Sequence, residues 1–268
     1  YVNDAGNQIE KFGCSLEARY LQIFKGDEIE FPEDGYQGED IKDLAKEYAD
    51  LNGDSLVNVS AEERKKALVD YALPKNIKKM QADMEKYKIF YDKWFFESEL
   101  HKSGAVNAVV DLLTKKGLTY EKDGAVWYKN KEVLTQKLLK EGKSQKYIDN
   151  LELKDDVLIR QNGNPTYFTA DIAYHKNKFD RGFTTLIDVW GADHHGHVMR
   201  MKGAMDAIGY DGDKLNVVLM QLVKLVKDGE LVKMSKRTGK AIQLGDLLDE
   251  VPVDSARFLF NTKEANTQ

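Results

Sequence analysis

The sequence predicts an α/β protein in which a parallel sheet with helical connections is interrupted by a largely helical insertion. Three observations indicate this class. Apolar residues recur at helical spacing through most of the first half. After about residue 155, short apolar runs alternate with helical patterns, which implies crossover connections between parallel strands. A chain of 268 residues with 42% hydrophobic and 10% aromatic composition can also bury a substantial core, which excludes collagen-like and disordered chains.

The first elements are expected to be helices. Apolar side chains at helical spacing predict helices over residues 5–24 and 40–51. The run Ser60-Ala61-Glu62-Glu63 has the form of a capping box and predicts the start of a third helix. Pro74 should kink or end that helix. At the amino terminus, Asn3 and Asp4 are open to two interpretations, the rim of a functional site or the N-cap of the first helix.

A hairpin and an alternating segment follow. A helix over 105–116 should end at Gly117, and Asp123-Gly124 marks the turn of a hairpin. The strand Thr185-Leu186-Ile187-Asp188-Val189-Trp190 is expected to be buried. The remaining predictions are strands at 157–159 and 215–220, helices at 167–179 and 195–208, and a hairpin over 222–226 and 231–234.

The charge of the chain is unevenly distributed. The net charge is −5, but residues 26–60 hold 11 Asp and Glu against 2 Lys, so the rest of the chain sums to +4. Six basic residues fall within 224–240, opposed only by Asp228 and Glu230. We therefore expect a cationic site for phosphates in this second region. The acidic stretch should be a solvated face of the insertion, because it would repel phosphates.

Several classes of protein and location are excluded. The apolar runs are too short to span a membrane, and the first thirty residues lack the apolar core of a signal peptide. Cys14 is the single cysteine, so neither an intramolecular disulfide nor a cysteine-based zinc site is expected. These features indicate a cytoplasmic protein. Because the chain opens with Tyr1 rather than methionine, we expect its natural start to lie upstream.

A basic loop follows the last hairpin and contains Lys233-Met234-Ser235-Lys236, then Arg237-Thr238-Gly239. For an arbitrary lysine cluster, a solvated turn would be the better interpretation. This order, however, resembles the second signature of class I aminoacyl-tRNA synthetases. The resemblance implies that Lys233, Met234, Ser235 and Lys236 bind ATP. Lys233 and Lys236 would be catalytic, because two ammonium groups neutralise the charge that builds on the leaving pyrophosphate.

A histidine cluster, Gly191-Ala192-Asp193-His194-His195-Gly196-His197, has three interpretations. A metal site at Asp193, His194 and His197 lacks a recognisable completing ligand. A His-x-Gly-His signature of nucleotidyl transferases would cradle ATP phosphates at a helix start. That signature follows the first strand of its fold, whereas more than 150 residues precede it here. The best interpretation is a nucleotide-binding turn that resembles the Gly-x-Asp of class I synthetases. In that turn Gly191 and Asp193 would bind ATP, with Asp193 on the ribose.

The amino-acid substrate is indicated by four stretches that resemble arginyl-tRNA synthetases. They are Tyr1-Val2-Asn3-Asp4-Ala5-Gly6-Asn7-Gln8-Ile9, Tyr167-Phe168-Thr169-Ala170-Asp171-Ile172-Ala173-Tyr174, Val189-Trp190-Gly191-Ala192-Asp193-His194-His195-Gly196, and residues 223–239. They follow the order of the family and cover the first 20 and last 115 or so residues. Between them, Trp94-Phe95-Phe96-Glu97-Ser98 is a weaker match, and His197 stands where an aromatic residue is more usual.

The resemblance implies an arginine pocket at Tyr167, Asp171, Glu97 and His194. A guanidinium is planar and always charged, so a selective pocket needs carboxylates and a flat partner. Tyr167 and Asp171 are four residues apart and would share a helix face if a helix begins near Asn164-Pro165. From the residues alone, the alternative that Tyr167 is a core residue and Asp171 a helix cap has about equal weight.

The function implied is arginine–tRNA ligation on a Rossmann-like nucleotide-binding sheet of the class I synthetase type. The substrates would be L-arginine, ATP with Mg²⁺ and tRNA(Arg), with no protein-bound metal, no membrane partner and a monomeric state. Residues 1–25 and 156–268 would form the catalytic core, and 26–155 the insertion. The family's first ATP signature and anticodon-binding domain are not in this sequence. We therefore expect an internal fragment that is inactive by itself.

Two rival functions remain open at this stage. One is a stand-alone nucleotidyl transferase that uses His194 to His197. The other is a synthetase-like RNA-binding module without activation. The Lys-Met-Ser-Lys loop argues against the second, because a module that only binds RNA has no use for it.

Overall fold

The computed structural model describes residues 1–223, 226–227, 230–231 and 243–267. Their elements confirm the predicted α/β class. Within these residues, no helix is both long enough and apolar enough to cross a lipid bilayer. In chain order the elements are α1 (Asn7–Lys25), α2 (Glu39–Asn52), α3 (Ala61–Lys86), α4 (Glu97–Lys102), α5 (Ala105–Lys115), β1 (Thr119–Lys122), β2 (Ala125–Tyr128), α6 (Asn130–Lys140), α7 (Gln145–Asp149), β3 (Asp156–Ile159), α8 (Tyr167–Asp180), β4 (Leu186–Gly191), α9 (His195–Ile208), β5 (Leu215–Met220), β6 (Val226–Lys227), β7 (Glu230–Leu231), α10 (Leu244–Glu250) and α11 (Val253–Asn261).

The chain divides into two compact units. The first unit comprises residues 1–95 and 224–264, and the second unit comprises residues 96–223 and 265–268. The boundaries expected at residues 25 and 155 stay a prediction.

The core of the first unit lies among α1, α2 and α3. Its fully buried side chains include Leu16 and Tyr20 from α1, Ala45 from α2 and Leu68 from α3. The Tyr20 hydroxyl also donates to the backbone oxygen of Gly53 at 2.8 Å, which satisfies a buried polar group. The predicted first and second helices are confirmed. α1 is preceded at its N-cap position by Gly6, so the capping role considered for Asn3 or Asp4 is wrong.

The third helix begins where the capping box predicts. The Ser60 hydroxyl accepts a hydrogen bond from the backbone N–H of Glu63 at 3.2 Å. Of the two outcomes expected at Pro74, termination does not occur, because α3 continues to Lys86. A long helix tolerates the loss of one backbone hydrogen bond at an exposed proline when the turns on either side remain intact.

The end of the chain returns to α3 within the first unit. Lys88 pairs with Asp254 on α11 at 2.5 Å, and Arg257 donates to the backbone oxygen of Tyr87 at 2.9 Å. The predicted hairpin is confirmed where β6 and β7 pair antiparallel. Of its other predicted residues, 222–223 are not part of a strand, and 224–225, 228–229 and 232–234 lie outside the described residues.

The second unit contains an antiparallel sheet in the order β1-β2-β3. The hairpin predicted at Asp123-Gly124 is confirmed, and both turn residues have positive φ angles of 53° and 71°, as a tight hairpin turn requires. β3 was expected to belong to the parallel sheet, and that expectation is wrong. β3 pairs antiparallel with β2, because a short apolar run specifies a strand but not its partner.

The parallel pair β4-β5 is the part of the second unit that carries the histidine cluster. The two strands are in register from Leu186 opposite Leu215 to Gly191 opposite Met220, and α9 connects them. The expectation that β4 is buried is wrong for one face. Leu186 and Asp188 are covered, but Ile187 and Val189 are each 68% exposed. Within the described residues, other elements pack against the face of β4 that carries Leu186 and Asp188, and the face that carries Ile187 and Val189 is left exposed.

Candidate functional site

The start of α8 is held in place by two threonines. The Thr166 hydroxyl donates to the backbone oxygen of Val157 at 2.7 Å, and the Thr169 hydroxyl donates to that of Leu158 at 2.8 Å. Both acceptors lie on β3, so the first turn of α8 is anchored to the antiparallel sheet. This anchoring fixes the direction in which the first side chains of α8 point.

Tyr167 and Asp171 lie one turn apart on this anchored helix. Tyr167 is the first residue of α8 and is 48% exposed, so the alternative that it is a core residue is wrong. The N-cap residue is Thr166, so the alternative that Asp171 caps the helix is also wrong. An aromatic ring and a carboxylate are therefore available together at the surface of the second unit.

Asp171 has a partner that the sequence analysis did not assign. Its Oδ2 lies 3.1 Å from Nε2 of His197 on α9. The ring of His197 meets Phe168 nearly edge-on, with centroids 5.6 Å apart, and lies 5.3 Å from the ring of Trp190. The signal available in the sequence was only the departure at position 197, which does not indicate its partner.

Glu97 is the first residue of α4 and is 5% exposed. Its Oε1 lies 3.4 Å from Nε2 of His101, one turn further along the helix. α4 packs against α8, the helix that carries Asp171. The structure therefore places the weaker of the two predicted acidic contacts on a neighbouring helix, in a buried position.

The histidine cluster lies at the carboxyl end of β4. Gly191 ends the strand, Ala192–His194 form a short 3-10 turn, and α9 begins at His195. The side chain of Asp193 is 82% exposed and that of His194 is 59% exposed, with Oδ2 of Asp193 3.7 Å from Nε2 of His194. The carboxyl end of a parallel strand, followed by a helix start, is where α/β folds bind ligands. The metal interpretation gains no support, since the described residues contain no group of three metal-ligating side chains.

Behind these exposed residues, α8 and β4 share a buried charged network. His175 is 3% exposed, and its Nδ1 donates to the backbone oxygen of Asp171 at 2.7 Å while its Nε2 donates to the carboxylate of Asp188. Lys178 donates to the other carboxylate oxygen.

The charges of this network set the protonation of its carboxylate. Burial by itself would raise the pKa of Asp188, but the hydrogen bonds and positive charges of His175 and Lys178 outweigh it and lower the pKa. Asp188 therefore stays ionised inside the unit and joins the helix of Asp171 to the strand that leads to Asp193.

A second ion pair fixes α9 to the antiparallel sheet. Arg200 binds both oxygens of Asp156 on β3 and lies over the ring of Phe168, with its guanidinium carbon 4.8 Å from the ring centroid. Burial raises the pKa of Asp156, against the lowering effect of Arg200. Arg200 thus fixes α9, the helix that carries His197, to β3 and to the first turn of α8.

Comparison with known proteins decides the family. The model of the catalytic domain of class I (R) tRNA synthetases matches residues 37–268. The chain belongs to this family. Among curated relatives, it is 54% identical to an arginine–tRNA ligase of Ruminiclostridium cellulolyticum, over 99% of the chain and 44% of that protein. It is 56% identical to an arginine–tRNA ligase of Caldanaerobacter subterraneus subsp. tengcongensis, over 100% of the chain and 44% of that protein. The chain thus spans less than half the length of these relatives.

Solved structures agree with the family assignment. A crystal structure from Campylobacter jejuni, described as an arginyl-tRNA synthetase, matches with a TM-score of 0.82 and 37% identity, over 100% of the chain and 54% of that structure. Thermus thermophilus arginyl-tRNA synthetase matches with a TM-score of 0.60 over 100% of the chain and 47% of that structure. At 17% identity this second similarity concerns the fold alone. The class I synthetase fold predicted from the sequence is confirmed.

The family's second signature falls on the part of the chain for which no structure is given. Lys233, Met234, Ser235 and Lys236 lie outside the described residues, so the roles expected of them stay predictions. The described part of the predicted site is the set that the second unit carries, which comprises Glu97, Tyr167, Asp171, Gly191, Asp193 and His194.

Proposed function

We propose that the protein carrying this chain is an arginine–tRNA ligase, which activates L-arginine with ATP and transfers it to tRNA(Arg). The observation that supports this most directly is the pair formed by Tyr167 and Asp171. In a chain 54% identical to an arginine–tRNA ligase, an anchored helix presents an aromatic ring and a carboxylate one turn apart. These are the two groups that a guanidinium requires.

Arginine is selected by charge and shape in this proposal. Asp171 accepts hydrogen bonds from the guanidinium, and the half-exposed ring of Tyr167 contacts its flat face. Glu97 supplies a second acidic contact from α4, and His194 lies near the bound amino acid. A lysine substrate would lose the paired hydrogen bonds, because an ammonium lacks the planar fork of donors.

Two sets of residues serve activation in this proposal, those at the carboxyl end of β4 and those of the Lys-Met-Ser-Lys sequence. An oxygen of the arginine carboxylate attacks the α-phosphorus of ATP, and pyrophosphate leaves. Asp193 accepts hydrogen bonds from the ribose hydroxyls, and the absence of a side chain at Gly191 allows the nucleotide to approach. Lys233 and Lys236 stabilise the negative charge on the leaving pyrophosphate, with Met234 and Ser235 in the same ATP-binding loop. Mg²⁺ enters with ATP as part of the substrate.

The transfer step completes the proposed reaction. A hydroxyl of the terminal ribose of tRNA(Arg) attacks the carbonyl carbon of arginyl-adenylate, and AMP leaves. None of the described residues needs to act as a nucleophile in either step, so binding and orientation are the main contributions of the chain.

The proposal is tested by a pair of isosteric substitutions in the full-length gene product. Asp171→Asn should raise the KM for arginine by roughly 10- to 100-fold in ATP–pyrophosphate exchange with tRNA(Arg) present, because a hydrogen bond to a charged group contributes about 1.5–3 kcal/mol. The KM for ATP should stay within about two-fold of its original value, since binding energy at independent sites is separable. Asp193→Asn should instead raise the KM for ATP and leave the KM for arginine nearly unchanged.

A matched control is Asp213→Asn, which makes the same chemical change at a side chain that is 74% exposed. It should leave both constants unchanged. Equal losses of arginine and ATP binding in Asp171→Asn would contradict the assignment of the pocket. Exchange that does not depend on arginine would contradict the proposed substrate.

A further inference from the structure

The carboxylate proposed to bind guanidinium already has a partner within the second unit. Oδ2 of Asp171 lies 3.1 Å from Nε2 of His197, and the side chain of Asp171 is 35% exposed whereas that of His197 is 17% exposed. A carboxylate has two oxygens, and a guanidinium binds most strongly when it contacts both. Whatever occupies Oδ2 therefore bears directly on arginine binding.

The ring of His197 is held in the position that makes this contact. Phe168 meets it nearly edge-on at 5.6 Å, and Trp190 lies 5.3 Å away on the side of β4. Rings packed against each other in this way lose rotational freedom. Nε2 is thus kept directed at Asp171 instead of turning towards solvent.

We propose that His197 is a positioning residue whose charge controls the affinity of Asp171 for the guanidinium of arginine. The inference rests on the proposed function. When the imidazole is neutral, its Nε2–H donates to Oδ2 and orients the carboxylate, which keeps its full negative charge and presents Oδ1 to the substrate. When the imidazole is protonated, its positive charge offsets that of Asp171 and competes with the guanidinium.

Protonation of His197 should affect Asp171 more than any other charged group near it. Two carboxylates of the described residues interact with His197, Asp171 from α8 and Asp156 from β3, and Arg200 from its own helix binds Asp156. Asp156 and Arg200 bind each other through both carboxylate oxygens, so their charges largely cancel. Histidine is the side chain whose charge ordinarily changes between about pH 5 and 8, within the range of an enzyme assay.

The experiment measures arginine-dependent ATP–pyrophosphate exchange by the full-length gene product, with tRNA(Arg) present, between about pH 8 and pH 5.5. The KM for arginine should rise about ten-fold towards acid pH, because the neutral fraction of an imidazole falls about ten-fold for each pH unit below its titration. The KM for ATP and the kcat should change much less. His197→Gln supplies an amide N–H that does not titrate. In this variant the KM for arginine should depend much less on pH, and its value at pH 8 should be retained.

The matched control is His195→Gln, the same substitution two residues away at an exposed position. In this control the KM for arginine should depend on pH as it does in the original protein. A slope that persists in His197→Gln, or an equal change in the KM for ATP, would overturn the inference while leaving arginine activation intact. If arginine supports no exchange at any pH even with tRNA(Arg) present, the proposed function fails, and this inference fails with it.

A second measurement needs no variant. Binding of arginine near pH 6 is followed by calorimetry in two buffers with different enthalpies of ionisation, which reveals the protons exchanged on binding. Because arginine prefers the neutral imidazole, binding should release a fraction of a proton that disappears near pH 8. Zero release near pH 6 would overturn the role of His197 even if His197→Gln does not fold.

Discussion

Replacement of Asp188 by asparagine should destabilise the second unit more than any surface substitution. Asp188 is 7% exposed and accepts from Nε2 of His175 and from the ammonium of Lys178, on different oxygens. An asparagine has one oxygen and one amide nitrogen in the same space. One of the two donors must then face another donor, and the buried positive charges lose the negative charge that balances them.

The magnitude follows from the burial of the three side chains. His175 is 4% exposed at its side chain and Lys178 is 15% exposed, so solvent replaces little of what is lost. Removing one partner of a buried ion pair costs about 3–5 kcal/mol. For a unit of this size, we expect a fall in Tm on the order of 10 °C.

The assay is thermal and urea unfolding of Asp188→Asn beside Asp213→Asn, whose carboxylate is 74% exposed and lies 3.8 and 3.9 Å from two lysines. The control should change stability by no more than about 0.5 kcal/mol. The pKa of Asp188 is lowered by its partners in the folded state. Its contribution to the free energy of unfolding is therefore fully present at pH values above the usual pKa range of aspartate. The difference in stability between the original protein and the Asp188→Asn variant should therefore persist from about pH 7 to 5 and shrink below about pH 4. A cost below about 1 kcal/mol, or one independent of pH, would refute the ionised network.

Three further predictions concern stability. Arg64→Lys should cost about 2–4 kcal/mol in urea unfolding, because Arg64 donates to the backbone oxygens of Leu56, Val57 and Val59 and a lysine cannot reach all three; a loss under about 1 kcal/mol would contradict this account. Pro74→Ala should raise stability by about 1–3 kcal/mol, because it restores a helical hydrogen bond at an exposed position; no gain in Tm would show that the helix already compensates. Gly212→Ala should cost about 1–3 kcal/mol or more, since a Cβ there would clash with the backbone oxygen of Lys202, which cannot move away like a side chain; an unchanged unfolding curve would argue against that close approach.

Local elements were the best predicted part of the fold. The capping box at Ser60, the turn at Asp123-Gly124 and the bounds of α9 are all confirmed. Each depends on residues within a few positions of one another, which is the range over which caps, turns and periodicity act. The partner of β3 and the exposed face of β4 were predicted wrongly, because strand pairing and covering depend on residues far away in the sequence.

The candidate site divides in the same way. Tyr167 and Asp171 were predicted as site residues from their spacing and their resemblance to a family, and the structure places both on α8, with Tyr167 exposed. The contact between Asp171 and His197 joins residues 26 positions apart, and that between His175 and Asp188 joins residues 13 positions apart. No local pattern connects either pair.

The order of residues by itself determined the family and most of the helices and turns, and it predicts which side chains bind a guanidinium and a ribose. Those features follow from short-range backbone preferences and from motifs that chemistry requires at fixed spacing. Only the tertiary structure decided that Asp171 contacts His197, and which cations keep the buried Asp188 ionised. Electrostatic partners are chosen by distance in space and by burial, and both are set when helices and strands pack.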